Sequence, residues 1–192
     1  MLTAVGYATR YNQIVVKDRT SIELLPGCFS DTLKSKMQVR LLLHHIDNQR
    51  LGSTSDILSL WDDGSTGLAF GVASFPDTKH GQYLRYMAED AHFDSVSVGF
   101  DYINAHKVTR TINGTDVVCI ISADLEEVSI LSGYDGGACK KSFVAYGNFD
   151  SLPEECRSGR LLREGAAVEF RRAVRRYEIA RFAEAQKSTS LR

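Results

Sequence analysis

Short apolar runs rich in β-branched residues recur along most of the chain, and turn-forming residues separate them. Such runs occupy residues 1–25 (as two strands), 39–45, 57–61, 67–75, 95–103, 106–112, 116–122 and 125–132. Many short strands at this spacing are typical of closed all-β architectures, because each strand needs a partner on both edges. The sequence therefore predicts a mainly β (α+β) fold, with a closed or nearly closed β-barrel of about seven strands.

Turn and capping residues place the connections and two peripheral helices. Asn113-Gly114 and the acidic stretch of residues 62–65 are predicted to form hairpin turns, because their residue types tolerate the required backbone conformations. Residues 30–37 open with capping side chains and predict a short helix. After Pro76, Asp77 or Thr78 can cap a second helix, which we expect to extend to about residue 92.

The C-terminal part of the chain has a different pattern from the barrel region. Glycines punctuate residues 134–159, which are predicted to be a linker or loop. Residues 160–192 are predicted to contain an amphipathic helix, with a thin, alanine-rich apolar stripe. The predicted organisation is therefore a barrel domain over 1–133, the linker, and a helical tail over 160–192.

Charge is distributed unevenly between these parts. Residues 157–192 contain ten Lys or Arg and four Glu, a net charge of +6, and the preceding 156 residues carry a net charge of −7. A basic tail on an acidic body favours docking on an acidic partner or on the body itself. Nucleic-acid binding is disfavoured, because the tail has few aromatic side chains to stack on bases.

Several classes of protein are disfavoured by the composition. The chain is 43% hydrophobic and 24% charged, as expected for a globular domain, and no apolar run approaches the length of a membrane span. The N-terminus lacks the pattern of a secretory signal, so we expect a cytosolic protein with its four cysteines reduced. Those cysteines have no zinc-ligand spacing, and no metal or other cofactor is predicted.

Three strand-like segments each carry a side chain that could take part in acyl transfer. His45 ends the run 39–45, Ser97 lies between Val96 and Val98, and Glu127 lies in the run 125–132. A serine hydroxyl attacks a carbonyl well only when an imidazole takes its proton, and a carboxylate can orient that imidazole. The three segments together predict a serine hydrolase, in which Asp124 or Glu126 could replace Glu127.

Other interpretations of the same residues remain. Each of the three could be structural, and a metal site of His44, His45 and Asp47 is disfavoured because adjacent strand residues point apart. Cys28 or Cys119 could instead serve a cysteine hydrolase, although neither has an obvious activating neighbour in sequence. Gly99 removes a side chain on the face of Ser97, which we interpret as room for a substrate backbone.

The order and spacing of six short motifs over residues 4–132 resemble the prohead proteases of tailed phages, capsid-maturation serine proteases that look related to the herpesvirus assemblins. The motifs are Gly6-Tyr7-Ala8, Pro26-Gly27-Cys28-Phe29, Leu42-x-x-His45 with Gly52, Gly67-Leu68, Ser97-Val98-Gly99-Phe100 and Glu127-Val128-Ser129. Two departures are visible. His44-His45-Ile46 stands where the family often has Asn-His-Asp, and residues 132–137 replace a Pro-Ala-rich ending.

The resemblance implies a herpesvirus-protease-like fold, with His45 as base, Ser97 as nucleophile and Glu127 as third member. It also implies a substrate: the scaffolding segment of the coat protein, or a separate scaffold, cleaved in the host cytoplasm inside an assembling prohead. Self-cleavage within 134–159, a homodimer, and docking of the tail on capsid or scaffold are further expectations. The alternative is a non-catalytic capsid-assembly or scaffold protein that retains the barrel.

Overall fold

The computed structural model describes residues 2–35, 37–72, 74–89, 95–132 and 143–148. Within these residues the chain forms twelve strands and two helices. In chain order they are β1 (Leu2–Arg10), β2 (Ile14–Lys17), β3 (Thr20–Leu24), α1 (Ser30–Ser35), β4 (Arg40–Leu43), β5 (Ile46–Ser53), β6 (Leu58–Asp62), β7 (Gly67–Val72), α2 (Lys79–Glu89), β8 (Ser95–Phe100), β9 (His106–Ile112), β10 (Thr115–Ser122), β11 (Leu125–Leu131) and β12 (Phe143–Asn148).

The strands pair into three four-stranded sheets, with the orders β12-β1-β7-β6, β2-β3-β10-β9 and β5-β4-β11-β8. The prediction of a mainly β fold is confirmed. The predicted barrel of about seven strands is not seen, since hydrogen bonding among the described residues gives three separate sheets with twelve strands. The chain forms more strands than predicted, partly because residues with a left-handed backbone interrupt the predicted apolar runs. Such residues are hard to recognise from apolar patterning.

Residues 1–25 show how such divisions arise. They form three strands rather than the predicted two, because the chain turns at Asn12 and again at Asp18 and Arg19, all with positive φ. Asp18 and Arg19 make a two-residue turn between β2 and β3, which pair antiparallel. Consecutive left-handed residues match the right-handed twist of the flanking strands, so a tight hairpin forms without glycine.

The strand predicted over 39–45 ends early. β4 stops at Leu43, and His44 and His45 form a two-residue turn with φ of 54° and 59°. The next residues, predicted as a polar loop, belong to β5, where Ile46 pairs with Leu43. The prediction that His45 ends the strand 39–45 is therefore wrong, because His45 lies in the turn that follows the strand.

One face of the sheet β5-β4-β11-β8 packs against the apolar core. The fully buried core residues of β4, β8 and β11 are Leu41, Leu43, Val96, Val128 and Ile130. The other face of β8 and β11 carries polar residues and glycine. A continuous apolar face of this kind holds the sheet against the rest of the molecule, so the polar face has a rigid support.

Both predicted helices are present. α1 covers six residues of the predicted 30–37. α2 begins at Lys79, and the amide of Gly81 donates to Thr78 Oγ1 at 3.2 Å, so Thr78 is the N-cap. The end predicted near residue 92 lies outside the described residues. Neither described helix has the length and apolar character needed to cross a lipid bilayer.

The sheet that contains β1 extends into the segment predicted as a linker. Phe143–Asn148 pair antiparallel with β1, with Val144 opposite Gly6, and Val144 is fully buried. A distant part of the chain thus adds the outer strand of this sheet, which the glycine pattern of 134–159 did not indicate. The remainder of that segment and the predicted tail over 160–192 lie outside the described residues.

Candidate active site

The polar face of β8 and β11 brings the candidate residues together. β11 lies between β4 and β8, and in its antiparallel pairing with β8, Ser129 is opposite Ser97 and Glu127 is opposite Gly99. Directly opposed residues in an antiparallel pair project from the same face of a sheet. Ser97, Gly99, Glu127 and Ser129 therefore form one patch, on the face away from the core.

A β-bulge in β11 determines which face Glu127 occupies. Leu125 pairs with Phe100 and Glu127 pairs with Gly99, so two steps on β11 match one step on β8, and Glu126 is the extra residue. Regular alternation would put Leu125 and Glu127 on the same face. The bulge instead leaves Leu125 in the core and turns Glu127 to the polar face, a re-aiming typical of bulges near active sites.

Gly99 provides the space for the Glu127 side chain. A Cβ at position 99 would lie 2.9 Å from both Cγ and Cδ of Glu127, and nearer still to Oε1. Carbon atoms in ordinary contact stay about 3.5 Å or more apart. The space that we assigned to a substrate backbone is thus occupied by the carboxylate of Glu127, because the two residues face each other across the strands.

The His44-His45 turn is attached to β11 by its backbone. The amide of His44 donates to the carbonyl oxygen of Ile130 at 3.1 Å, and the amide of His45 donates to Ser129 Oγ at 3.1 Å. Left-handed non-glycine residues are uncommon and cluster at functional sites, where surrounding contacts hold them. The two hydrogen bonds are such contacts, and they bring the His45 imidazole over the polar face.

His45 and Glu127 are in direct contact, with 2.5 Å between Nδ1 and Oε1. Glu127 is only 6% exposed, whereas the His45 side chain is 41% exposed. A carboxylate on Nδ1 retains the proton there, so the neutral imidazole presents an unprotonated Nε2. The pair therefore has the arrangement that general-base catalysis by Nε2 requires.

Ser129 connects the two members of this pair and was not identified as a functional residue from the sequence. It is fully buried, it accepts from the His45 amide, and its hydroxyl donates to Glu127 Oε2 at 2.5 Å. Ser129 lies two residues after Glu127 in a strand, and residues at that spacing share a face of the sheet. This spacing was the sequence signal that could have identified Ser129.

Ser97 lies on the end strand of this sheet and is half-buried. Within the described part of the chain, the hydrogen bonds join His45, Glu127 and Ser129, and none links Ser97 to His45. Ser97 also borders a cleft between β8 and the first three strands, which Phe100, Ile22, Leu24, Arg10 and Lys17 help to line.

The other acidic candidates have different surroundings. Asp47 pairs with Arg40, not with a histidine, and Glu126 lies 4.0 Å from the same guanidinium. Asp124 is exposed, and its backbone carbonyl accepts from the amide of Asp101. Glu127 is thus the carboxylate in contact with His45. Within the described ranges, no three His, Cys, Asp or Glu side chains are grouped to hold a metal ion.

Both described cysteines lie in the interior. Cys28 is 1% exposed and Cys119 is fully buried. Burial raises the pKa of Cys28 to about 12, and burial with the Glu23 carboxylate raises the pKa of Cys119. Cys119 Sγ contacts that carboxylate at 3.3 Å. Because a thiolate is the reactive form of cysteine, neither environment activates a thiol nucleophile.

Comparison with known proteins identifies the family. Residues 1–145 match the family model described as caudovirus prohead serine protease, which confirms the resemblance found from the six motifs. A solved structure of varicella-zoster virus protease is similar at 13% identity with a TM-score of 0.44, over 92% of this chain and 77% of that chain. No curated protein matches the sequence. The chain therefore belongs to the caudovirus prohead serine protease family and is a protease of phage capsid maturation.

Proposed function

We propose that Ser97, His45 and Glu127 are the nucleophile, the general base and the orienting carboxylate of this protease. The observation that carries the proposal is the contact of His45 Nδ1 with Glu127 on the same sheet face as Ser97. His45 hydrogen-bonds through its amide to Ser129, and Ser129 lies directly across from Ser97, so His45 and Ser97 are both neighbours of the same β11 residue.

Catalysis follows from this arrangement. Ser97 Oγ attacks the carbonyl carbon of the scissile peptide bond while its proton passes to His45 Nε2. The imidazolium is stabilised by Glu127, and Nε2 gives the proton to the departing amine as the C–N bond breaks. Water then attacks the acyl-enzyme with His45 again as base, which releases the acid product and restores the Ser97 hydroxyl. Backbone N–H groups are the default donors to the oxyanion.

The proposed substrate is the scaffolding segment of the coat protein or a separate scaffold, together with the protease chain itself. The family supports a role inside the assembling prohead, in the host cytoplasm. Self-cleavage within the glycine-containing segment 134–159 is part of the proposal. So are a homodimer, which sedimentation analysis tests, and docking of the basic tail on capsid or scaffold.

The test of the catalytic serine is a matched pair of variants. The coat-protein precursor is expressed with the wild type, with Ser97→Ala or with Ser95→Ala, and products are measured by mass spectrometry. Ser95 is the matched control, because it lies on the same strand but opposite Leu131. Ser97→Ala should abolish trimming of precursor and protease, whereas Ser95→Ala should retain it. Trimming by folded Ser97→Ala protein would contradict the assignment.

A covalent probe separates the protease from the non-catalytic alternative. A fluorophosphonate should label wild-type protein at Ser97, and labelling should fail in Ser97→Ala and decline in His45→Ala. A non-catalytic assembly protein would have an inert serine, and the wild type would not label.

The tail is tested by deletion. Removing residues 157–192 should reduce incorporation into proheads more than cleavage of a soluble peptide substrate, because the basic segment supplies docking rather than chemistry. Equal losses of incorporation and peptide cleavage would show that the segment is needed for the protease fold.

A further inference from the structure

We propose that Ser129 is a positioning residue that fixes both His45 and Glu127 for catalysis. The proposal rests on the catalytic assignment above. It assigns a role to the hydroxyl that touches both members of the pair, at 3.1 Å from the His45 amide nitrogen and 2.5 Å from Glu127 Oε2.

The hydroxyl is chemically suited to both contacts at once. A serine hydroxyl has one hydrogen to donate and lone pairs to accept. It accepts from the backbone N–H of His45 and donates its own hydrogen to the carboxylate, so the two bonds do not compete. The carboxylate in turn uses its two oxygens separately, Oε2 for Ser129 and Oε1 for the imidazole. Four groups thus form a closed ring of contacts.

The ring constrains the histidine through its backbone. His45 has φ of 59°, a conformation that a non-glycine residue keeps only when neighbouring contacts hold it. The residue before it is held by the carbonyl of Ile130, and His45 itself is held by Ser129. Without the hydroxyl, the amide of His45 loses its acceptor, and the turn is free to move the imidazole relative to Ser97.

The same ring constrains the carboxylate. Glu127 is buried against Gly99, which has no side chain to limit rotation of the carboxylate. The hydroxyl of Ser129 holds Oε2, the carboxylate oxygen that does not contact the imidazole. Ser129 is fully buried, so bulk water has no direct route to replace its hydroxyl. An acidic side chain that loses such a donor reorients toward another one, and the direction of Oε1 toward Nδ1 changes with it.

The test compares Ser129→Ala and Ser129→Thr with the wild type in a peptide-cleavage assay, each rate normalised to the folded fraction. Ser129→Ala should lower kcat by about 10- to 100-fold, the range expected for a lost hydrogen bond to a charged group, with KM within about twofold. Ser129→Thr keeps the hydroxyl and should recover most of kcat. A far-downfield proton resonance from the His45–Glu127 hydrogen bond should weaken or shift in Ser129→Ala and persist in Ser129→Thr.

Thr32→Val is the matched control for a purely structural hydroxyl. Thr32 is 1% exposed, and its Oγ1 accepts from the amide of Leu125 at 3.0 Å, at the start of the same strand β11. Thr32→Val should lower the melting temperature without changing kcat of the folded protein or the downfield resonance. Folded Ser129→Ala protein with wild-type kcat would overturn the proposal.

Failure of this inference can be told apart from failure of the catalytic assignment. If Ser97→Ala is inactive and Ser129→Ala is fully active, only the role of Ser129 is overturned. If Ser97→Ala still cleaves, the assignment on which this inference rests is overturned first, and the role of Ser129 falls with it.

Discussion

Replacement of Gly99 by alanine is the sharpest test of how the site is built. The added methyl group points at Glu127, within 2.9 Å of Cγ and Cδ and closer to Oε1, the oxygen that contacts His45. Gly99 pairs with Glu127, next to the bulge at Glu126, and it is not among the glycines with positive φ. The substitution therefore acts through the side chain of Glu127 and not through the conformation of its own backbone.

The magnitude follows from the distance that the carboxylate must move. Carbon atoms in ordinary contact stay about 3.5 Å apart, whereas the added Cβ would lie 2.9 Å from Cδ and nearer to Oε1, so the carboxylate must retreat by on the order of 1 Å. A displacement of this size in a catalytic arrangement lowers the rate by about 100-fold, which corresponds to about 2.7 kcal/mol of transition-state stabilisation. Gly99→Ala should thus reduce kcat/KM for peptide cleavage by about two orders of magnitude.

A double-mutant cycle links the loss to Glu127. Gly99→Ala is measured in the wild type and in Glu127→Ala, whose smaller side chain leaves nothing for the methyl group to displace. The two substitutions should be strongly non-additive, with little further loss when Gly99→Ala is added to Glu127→Ala. If Gly99→Ala cleaves at the wild-type rate, or if it reduces the Glu127→Ala rate by a further 100-fold, the reasoning from Glu127 displacement is refuted.

Three other outcomes are expected. Burial raises the pKa of Asp62, so the folded state binds its proton more tightly than the unfolded chain and loses stability as pH rises through the folded pKa. Asp62→Asn keeps an oxygen that can accept from Tyr11 Oη, and it should raise the melting temperature at neutral pH. The melting temperature should not rise below pH 3.8, the ordinary pKa of an aspartate. A rise that is the same at every pH would contradict this reasoning. Iodoacetamide should leave peptide cleavage unchanged, because Cys28 and Cys119 are buried thiols with raised pKa values, and rapid inactivation through either cysteine would revive the cysteine-hydrolase alternative. Thr78→Ala should lower the free energy of unfolding by about 1 kcal/mol through loss of the α2 cap, measured by denaturant titration, with Thr78→Ser close to the wild type.

The catalytic candidates could be found in the sequence because each lies in a strongly patterned local segment. Ser97 sits between two valines, and Glu127 lies in a strand-like segment with Leu125, Val128, Ile130 and Leu131. Such patterns report which residues are in strands, since burial of alternate side chains is a local property of the chain. They do not report which strands pair, so the contact between His45 and Glu127, 82 residues apart, could only be a hypothesis.

The face on which Glu127 lies shows where local patterning fails. Alternation places Leu125, Glu127 and Ser129 together, and the bulge at Glu126 separates Leu125 from the other two. The bulge lies in the pairing of β11 with β8, and β4 pairs with β11 only from Glu127 onward. The register of one strand against another is a property of the paired strands, which no single segment encodes.

The sequence by itself determined that the protein is mainly β, that it belongs to the prohead serine protease family, and that Ser97, His45 and Glu127 are the candidate residues. Only the tertiary structure decided that the strands form three sheets and that His44 and His45 make a turn. It also decided that Gly99 and Ser129 fit around the carboxylate of Glu127. The physical reason is that side-chain periodicity is local, whereas strand register, bulges and the contacts of turn residues depend on partners distant in the chain.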